Sequence, residues 1–232
     1  MPVSDGVRVY SGALPVLAIL LLIALVVLII PLLFLGLVGA AFTRLGFSWI
    51  AALAVVLLML IGSFVNIPLY RIKRDMVRVD TMEMSLGAQP VWETEIALNL
   101  GGAVIPLAVS AYLLYQANTI VGSGLFMPVI AGVVLVALIA WVSTRSIPGY
   151  GLRAPLFLPG LAAILCGILL AGETGLEAGV IAFVAGTVGI LLGSGIAQIP
   201  RIRDMEIPNV SIGGAGMFGA IFLACLLSSL IA

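Results

Sequence analysis

Seven long apolar runs dominate this sequence, and they restrict the chain to a bilayer. They cover residues 13–40, 48–69, 95–117, 125–143, 155–171, 176–198 and 212–231. A membrane-crossing helix needs about 20 mostly apolar residues. The runs therefore predict an all-α fold: one polytopic transmembrane bundle of about seven helices, spanning residues 1–232, with no separate soluble domain. Composition matters here only as a check. Of 232 residues, 63% are hydrophobic and 9% charged, against roughly 25% charged in a soluble domain. A chain of this size has too little interior to hide so much apolar surface from water. The first run exceeds the roughly 7–15-residue core of a cleaved leader and is read as a retained helix. Pro31 and Pro106 fall inside predicted spans, where a kink is tolerated.

Lys and Arg orient membrane helices, because cytoplasmic loops hold the excess of them. Seven crossings place the N-terminal tail and the loops after spans two, four and six on one side. That side has Arg8, then Arg71, Lys73, Arg74 and Arg78, then Arg145 and Arg153, then Arg201 and Arg203. The other side has only Arg44. This nine-to-one split predicts a multi-pass protein of the plasma membrane with a cytoplasmic N-terminus and an extracytoplasmic C-terminus. The longest polar stretch, residues 70–92, becomes a cytoplasmic loop. Met76, Val79, Met82 and Leu86 within it have the spacing of an apolar stripe on a surface helix; a solvated loop fits equally well. Ten Lys and Arg balance ten Asp and Glu, so no basic field favours nucleic acid.

The sequence also resembles itself. Asn66-Ile-Pro-Leu-Tyr-Arg-Ile-Lys-Arg-Asp-Met76 parallels Gln198-Ile-Pro-Arg-Ile-Arg-Asp-Met205. Leu98-Asn-Leu-Gly-Gly-Ala103 parallels Val210-Ser-Ile-Gly-Gly-Ala215, and Leu14-Pro15 parallels Leu158-Pro159. These matches predict two parallel three-helix copies, 13–117 and 155–231, joined by a connector helix at 125–143. Convergence is the competing explanation, since Ile-Pro plus basic residues is a natural way to end a membrane helix. In transporters built from repeats, a site between the copies near the midplane is common.

Polar groups at membrane depth are costly and are the first candidates for function. Glu95 and Asn99, four residues apart, would share one face of a helix, and a helix cap is the plainer role for Glu95. Gly101-Gly102 and Gly213-Gly214 follow Asn99 and Ser211 and suggest exposed half-helix N-termini; close packing of small residues is the alternative. Asn66 and Gln198 end their spans with an amide. Arg153 is placed to pair with Glu95 or with lipid headgroups. Ala185, Gly189, Gly193 and Ala197 form a small-residue ridge that makes span six central, whereas span one looks peripheral. Cys166 and Cys225 read as buried apolar residues. With no histidine in the chain and no paired acids deep in a span, catalysis is not expected, nor any metal or cofactor.

Leu98-Asn-Leu-Gly-Gly-Ala-Val-Ile-Pro106, Ser146-Ile-Pro-Gly-Tyr-Gly151 and Ser211-Ile-Gly-Gly-Ala-Gly-Met-Phe-Gly-Ala-Ile-Phe-Leu223 resemble the domain-of-unknown-function family numbered 1614, uncharacterised prokaryotic membrane proteins. The resemblance runs from about residue 60 to the end. It implies an acidic residue after Phe218, where this chain has Gly219. It implies a membrane class and no reaction.

Three functional readings follow. The first is a transporter-like protein for a small molecule or ion, with Asn66, Glu95, Asn99, Arg153, Gln198 and Ser211 around a polar site between the copies. The second is an assembly protein or homo-oligomeric subunit. The third, an intramembrane enzyme, lacks the acids it would need.

Overall fold

The computed structural model describes residues 13–73, 93–147, 151–203 and 209–232. Met76, Val79, Met82 and Leu86 lie outside the described residues. Among the described residues there are seven helices of 14 or more residues: α1 Ala13–Arg44, α2 Trp49–Gly62, α3 Ile105–Val121, α4 Phe126–Ser143, α5 Leu158–Ala171, α6 Leu176–Ile190 and α7 Phe218–Ile231. Four apolar helical stretches are long enough to cross a bilayer: Val16–Arg44, Leu100–Ile120, Phe126–Ser143 and Leu176–Ile202. The other three, α2, α5 and α7, have 14 residues each, about 21 Å of helix against roughly 30 Å of hydrocarbon. The fold is a polytopic helical bundle.

It is not all-α. Among the described residues, five short strands gather at one end: β1 Asn66–Lys73, β2 Glu93–Asn99, β3 Arg145–Ile147, β4 Gly151–Arg153 and β5 Asn209–Ile212. The second span therefore ends at Gly62 rather than 69, and residues 95–99 are strand rather than helix. The cause is visible in the side chains. Thr94, Ile96 and Leu98 alternate with Glu93, Glu95 and Asn99, a period of two. Pro106 lies inside the apolar stretch Leu100–Ile120, as expected, in the first turn of α3, a position where its fixed φ suits the helix.

β1 pairs with β2 antiparallel, with a bulge between Pro68 and Tyr70, and β2 pairs with β5 in parallel. Because side chains alternate across a strand, the sheet has two unlike faces. Tyr70, Ile72, Ile96, Leu98, Val210 and Ile212 share one; Asn66, Arg71, Glu95, Ala97, Asn99 and Ser211 share the other. Pro68 is accommodated because β1 is an edge strand. β3 and β4 form a separate antiparallel pair, and Ala154 N–H donates to the Gly216 carbonyl at 2.9 Å, tying that pair to the turn before α7.

Parallel pairing of β2 with β5 constrains the topology. The chain must leave and return to the same end, heading the same way, so the four helices α3 to α6 between them make an even number of passes. Six of the seven described Lys and Arg residues (Arg71, Lys73, Arg145, Arg153, Arg201 and Arg203) belong to the strand end. Arg44 lies at the opposite end, where its Nη1 donates to the Leu230 carbonyl at 3.1 Å, a favourable cation at the C-terminus of α7.

α6 is the centre. It packs against α3, α4, α5 and α7, and Ala178 to Thr187 are buried without interruption. Gly186 faces Ala224 and Ala163, and Gly189 and Gly193 meet Val136 and Ala137 of α4. Small residues bring these backbones close, which is the main source of helix association in lipid. Ala197 leaves the expected ridge and is exposed. A π-helical turn at Leu191–Gly195 intervenes; its wider ring rotates everything after it off the helix face. α1 is the opposite case. From Val16 to Leu33 its side chains are exposed, and burial begins only near Val38, Ala41 and Phe42, against α2 and α7.

Candidate functional site

The polar face of the sheet ends in a junction of three side chains. Asn99, fully buried, is the last residue of β2 and the N-cap of a π-helical turn, Leu100–Val104, that opens into α3. Its Oδ1 accepts from Gly102 N–H at 2.8 Å. Its Nδ2 donates to the Ser63 carbonyl at 2.8 Å, the Val65 carbonyl at 3.3 Å and Asn66 Oδ1 at 3.0 Å. Asn99 therefore satisfies a helix N-terminus and the chain leaving α2 together, as a buried amide must. Asn66 Oδ1 also accepts a short hydrogen bond from Ser211 Oγ of β5. One carbonyl oxygen thus joins the two strands and uses both of its lone pairs. The Asn66 side chain is exposed, and among the described residues its Nδ2 makes no hydrogen bond. It presents N–H donors outward.

The glycines make this junction possible. A Cβ on Gly101 would overlap the Met59 carbonyl at the end of α2, and one on Gly102 would overlap the Gly213 carbonyl. Gly213 has φ +77°, the left-handed region that glycine enters without penalty. Next to it, a Cβ on Gly214 would strike Ser211. Backbone meets backbone here, so the two Gly-Gly turns are in direct contact. Phe218, the first residue of α7, packs on Gly102, and the starts of α3 and α7 converge on the junction.

Other candidate residues lie elsewhere. Glu95 sits on the same sheet face as Asn99, but four strand residues away, about 13 Å, and not on a helix. Its partner is Arg71, with Nε to Oε2 at 3.2 Å, rather than Arg153. Arg153 is exposed in β4, opposite Arg145. Gln198 is fully buried and does not join the junction. Its Nε2 donates to the Trp141 carbonyl at 2.8 Å, one of the carbonyls left open at the end of α4. Beside it, Thr144 Oγ1 lies 2.7 Å from Ser194 Oγ. The junction also sits shallower than the expected midplane. The apolar stretch Leu100–Ile120 that follows it has 21 residues, about 31 Å of helix, so the junction lies near one membrane face. Sequence reasoning missed Arg71, Ser63 and Val65; the last two contribute backbone carbonyls, which no side-chain pattern reveals.

The sequence pattern of a family described as proteins of unknown function, DUF1614, matches residues 60–231. The chain belongs to the DUF1614 family. The matched DUF1614 region begins near the end of α2 and contains all five strands, both Gly-Gly turns and α3 to α7, and it leaves out α1. Gly219, where the family resemblance implied an acid, lies in the first turn of α7, half-buried near Leu156. No curated protein and no solved structure matches this DUF1614 chain.

Proposed function

We propose that this membrane protein is transporter-like and handles a small molecule or ion at the Asn66–Asn99–Ser211 junction, between two three-helix copies running in parallel. The observation that carries the reading is the shared acceptor: Asn66 Oδ1 binds Asn99 of one copy and Ser211 of the other. Parallel copies need their equivalent strands to run the same way, and β2 and β5 do. Each copy then reads helix, helix, extended segment, Gly-Gly turn, helix. The copies differ where β1 corresponds to a short helical turn, Ile199–Arg203. Outward N–H donors on Asn66, beside two helix starts, favour a solute with acceptor oxygens, such as a carboxylate. The nine-to-one distribution of cations favours placing the strand end in the cytoplasm.

The test is sided labelling. Ser211→Cys is introduced in proteoliposomes, with the buried Cys166 and Cys225 replaced by serine. A membrane-impermeant thiol reagent is expected to reach position 211 from the strand side and, in a second population, from the opposite side. Labelling from one side alone refutes transport. An assembly role is favoured by a different observation: among the described residues, the α1 side chains from Val16 to Leu33 are exposed. A stable oligomer lost on deletion of α1 would select that reading.

A further inference from the structure

The apolar face of the sheet does not close against the bundle. A cavity of about 370 Å³ separates it from the helices. Ile96, Leu98 and Ile212 form its sheet wall, and Leu107 of α3 with Leu191 and Ile196 of the α6 extension form the other. The π-helical turn and Gly195 create the space, since Gly195 brings the broken helix onto Ile212 while Ile196 swings outward. Among the described residues no charged side chain lines the cavity. A polar ligand would lose its hydration there without replacement. The cavity opens sideways through exposed Leu69, Tyr70 and Ile196, which continue into exposed Val65, Ile67 and Leu192. Its mouth is therefore part of the lipid-facing surface.

A cation follows the groove lining by two residues. Ile199, a lining residue, begins the helical turn that bears Arg201. The Arg201 guanidinium lies 5.9 Å from the centre of the half-exposed Trp141 ring. An Arg over a Trp is typical of headgroup depth. Among the described residues Arg201 has no carboxylate partner, whereas Arg71 is engaged by Glu95. We infer that this groove is a binding site for an anionic phospholipid, with an acyl chain between the sheet and α6 and the phosphate headgroup at Arg201. The site uses the sheet face opposite Asn66 and Ser211, so it stands or falls independently of the transport reading.

The test uses the full chain in phosphatidylcholine nanodiscs containing a trace of phosphatidylglycerol with a diazirine on its acyl chain. After irradiation, cross-links are mapped by mass spectrometry. They are expected to concentrate on peptides containing Leu98, Leu107, Ile196 and Ile212, at least five-fold above the exposed surface of α1. The matching phosphatidylcholine probe is expected to label the groove at least five-fold less. Ile212→Trp, and the milder rim variant Leu107→Trp, should abolish groove labelling while α1 labelling persists, and Arg201→Gln should remove the preference for the anionic probe. Thermal unfolding identifies which variants remain folded. Labelling no denser than on α1, equal labelling by both probes, or full labelling in a folded Trp variant would overturn the proposal.

Discussion

The two Gly-Gly turns begin from nearly the same sequence and end in different structures. After β2, Asn99 caps Gly102 directly, and the chain enters a helix at once through a π-helical turn. After β5, Gly213 takes a left-handed conformation, Gly214 N–H closes on the Ser211 carbonyl at 3.1 Å, and α7 does not begin until Phe218. The difference comes from what each turn must fit. Gly101 and Gly102 are wedged between the end of α2 and the second turn, so the first turn has to stay narrow. The second turn must clear Leu152 at Gly216, and it does so by detouring. A motif therefore fixes where backbones meet, while the neighbours decide the path. Asn99 does structural work for the first turn, and Ser211 merely joins the second to it.

That contrast can be broken by substitution, with graded effects on unfolding in mixed micelles. Gly101→Ala and Gly102→Ala should be the most damaging, at about 3 kcal/mol or more, because the added Cβ meets backbone that cannot step aside. Folded protein recovered at wild-type yield would show that the turns are looser than described. Asn99→Ala should cost about 2–3 kcal/mol, since it strips the cap from Gly102 and removes the side-chain donor from the Ser63 carbonyl, while the Val65 carbonyl keeps its bond from Leu100 N–H. Ser211→Ala should cost only about 1 kcal/mol, as Asn66 is exposed and water can replace the lost donor. If the two variants proved equal, the asymmetry between the turns would be wrong. Arg71→Gln should matter least, about 0.5 kcal/mol and less in high salt, because the Arg71 side chain is 65% exposed.

Much of this was legible in the residues. The apolar runs gave the helices, the small residues of span six gave its central position, and the uninterrupted Leu, Ile and Val of span one gave its peripheral one. The Asn99 and Ser211 motifs pointed to segments that do adjoin. The strands were obscured because hydropathy averaged over a span-length window absorbs a short alternating segment such as 93–99 into the run beside it. Gln198 was misplaced for a related reason. It aligns with Asn66 in sequence, yet the π-helical turn before it changes its direction, so it caps α4 instead. Ala197 left its ridge by the same rotation. The partner of Glu95 depended on strand register across a loop, which spacing alone does not determine.

The central claim is that the two turns operate as one unit through Asn66. A double-mutant cycle on Asn99→Ala and Ser211→Ala tests it most directly, because both side chains donate to the same oxygen. The expected result is a coupling energy of about 0.5–1 kcal/mol, vanishing when the cycle is repeated in Asn66→Ala. Strict additivity in the wild-type background would contradict the claim and separate the two halves at the point where the structure joins them.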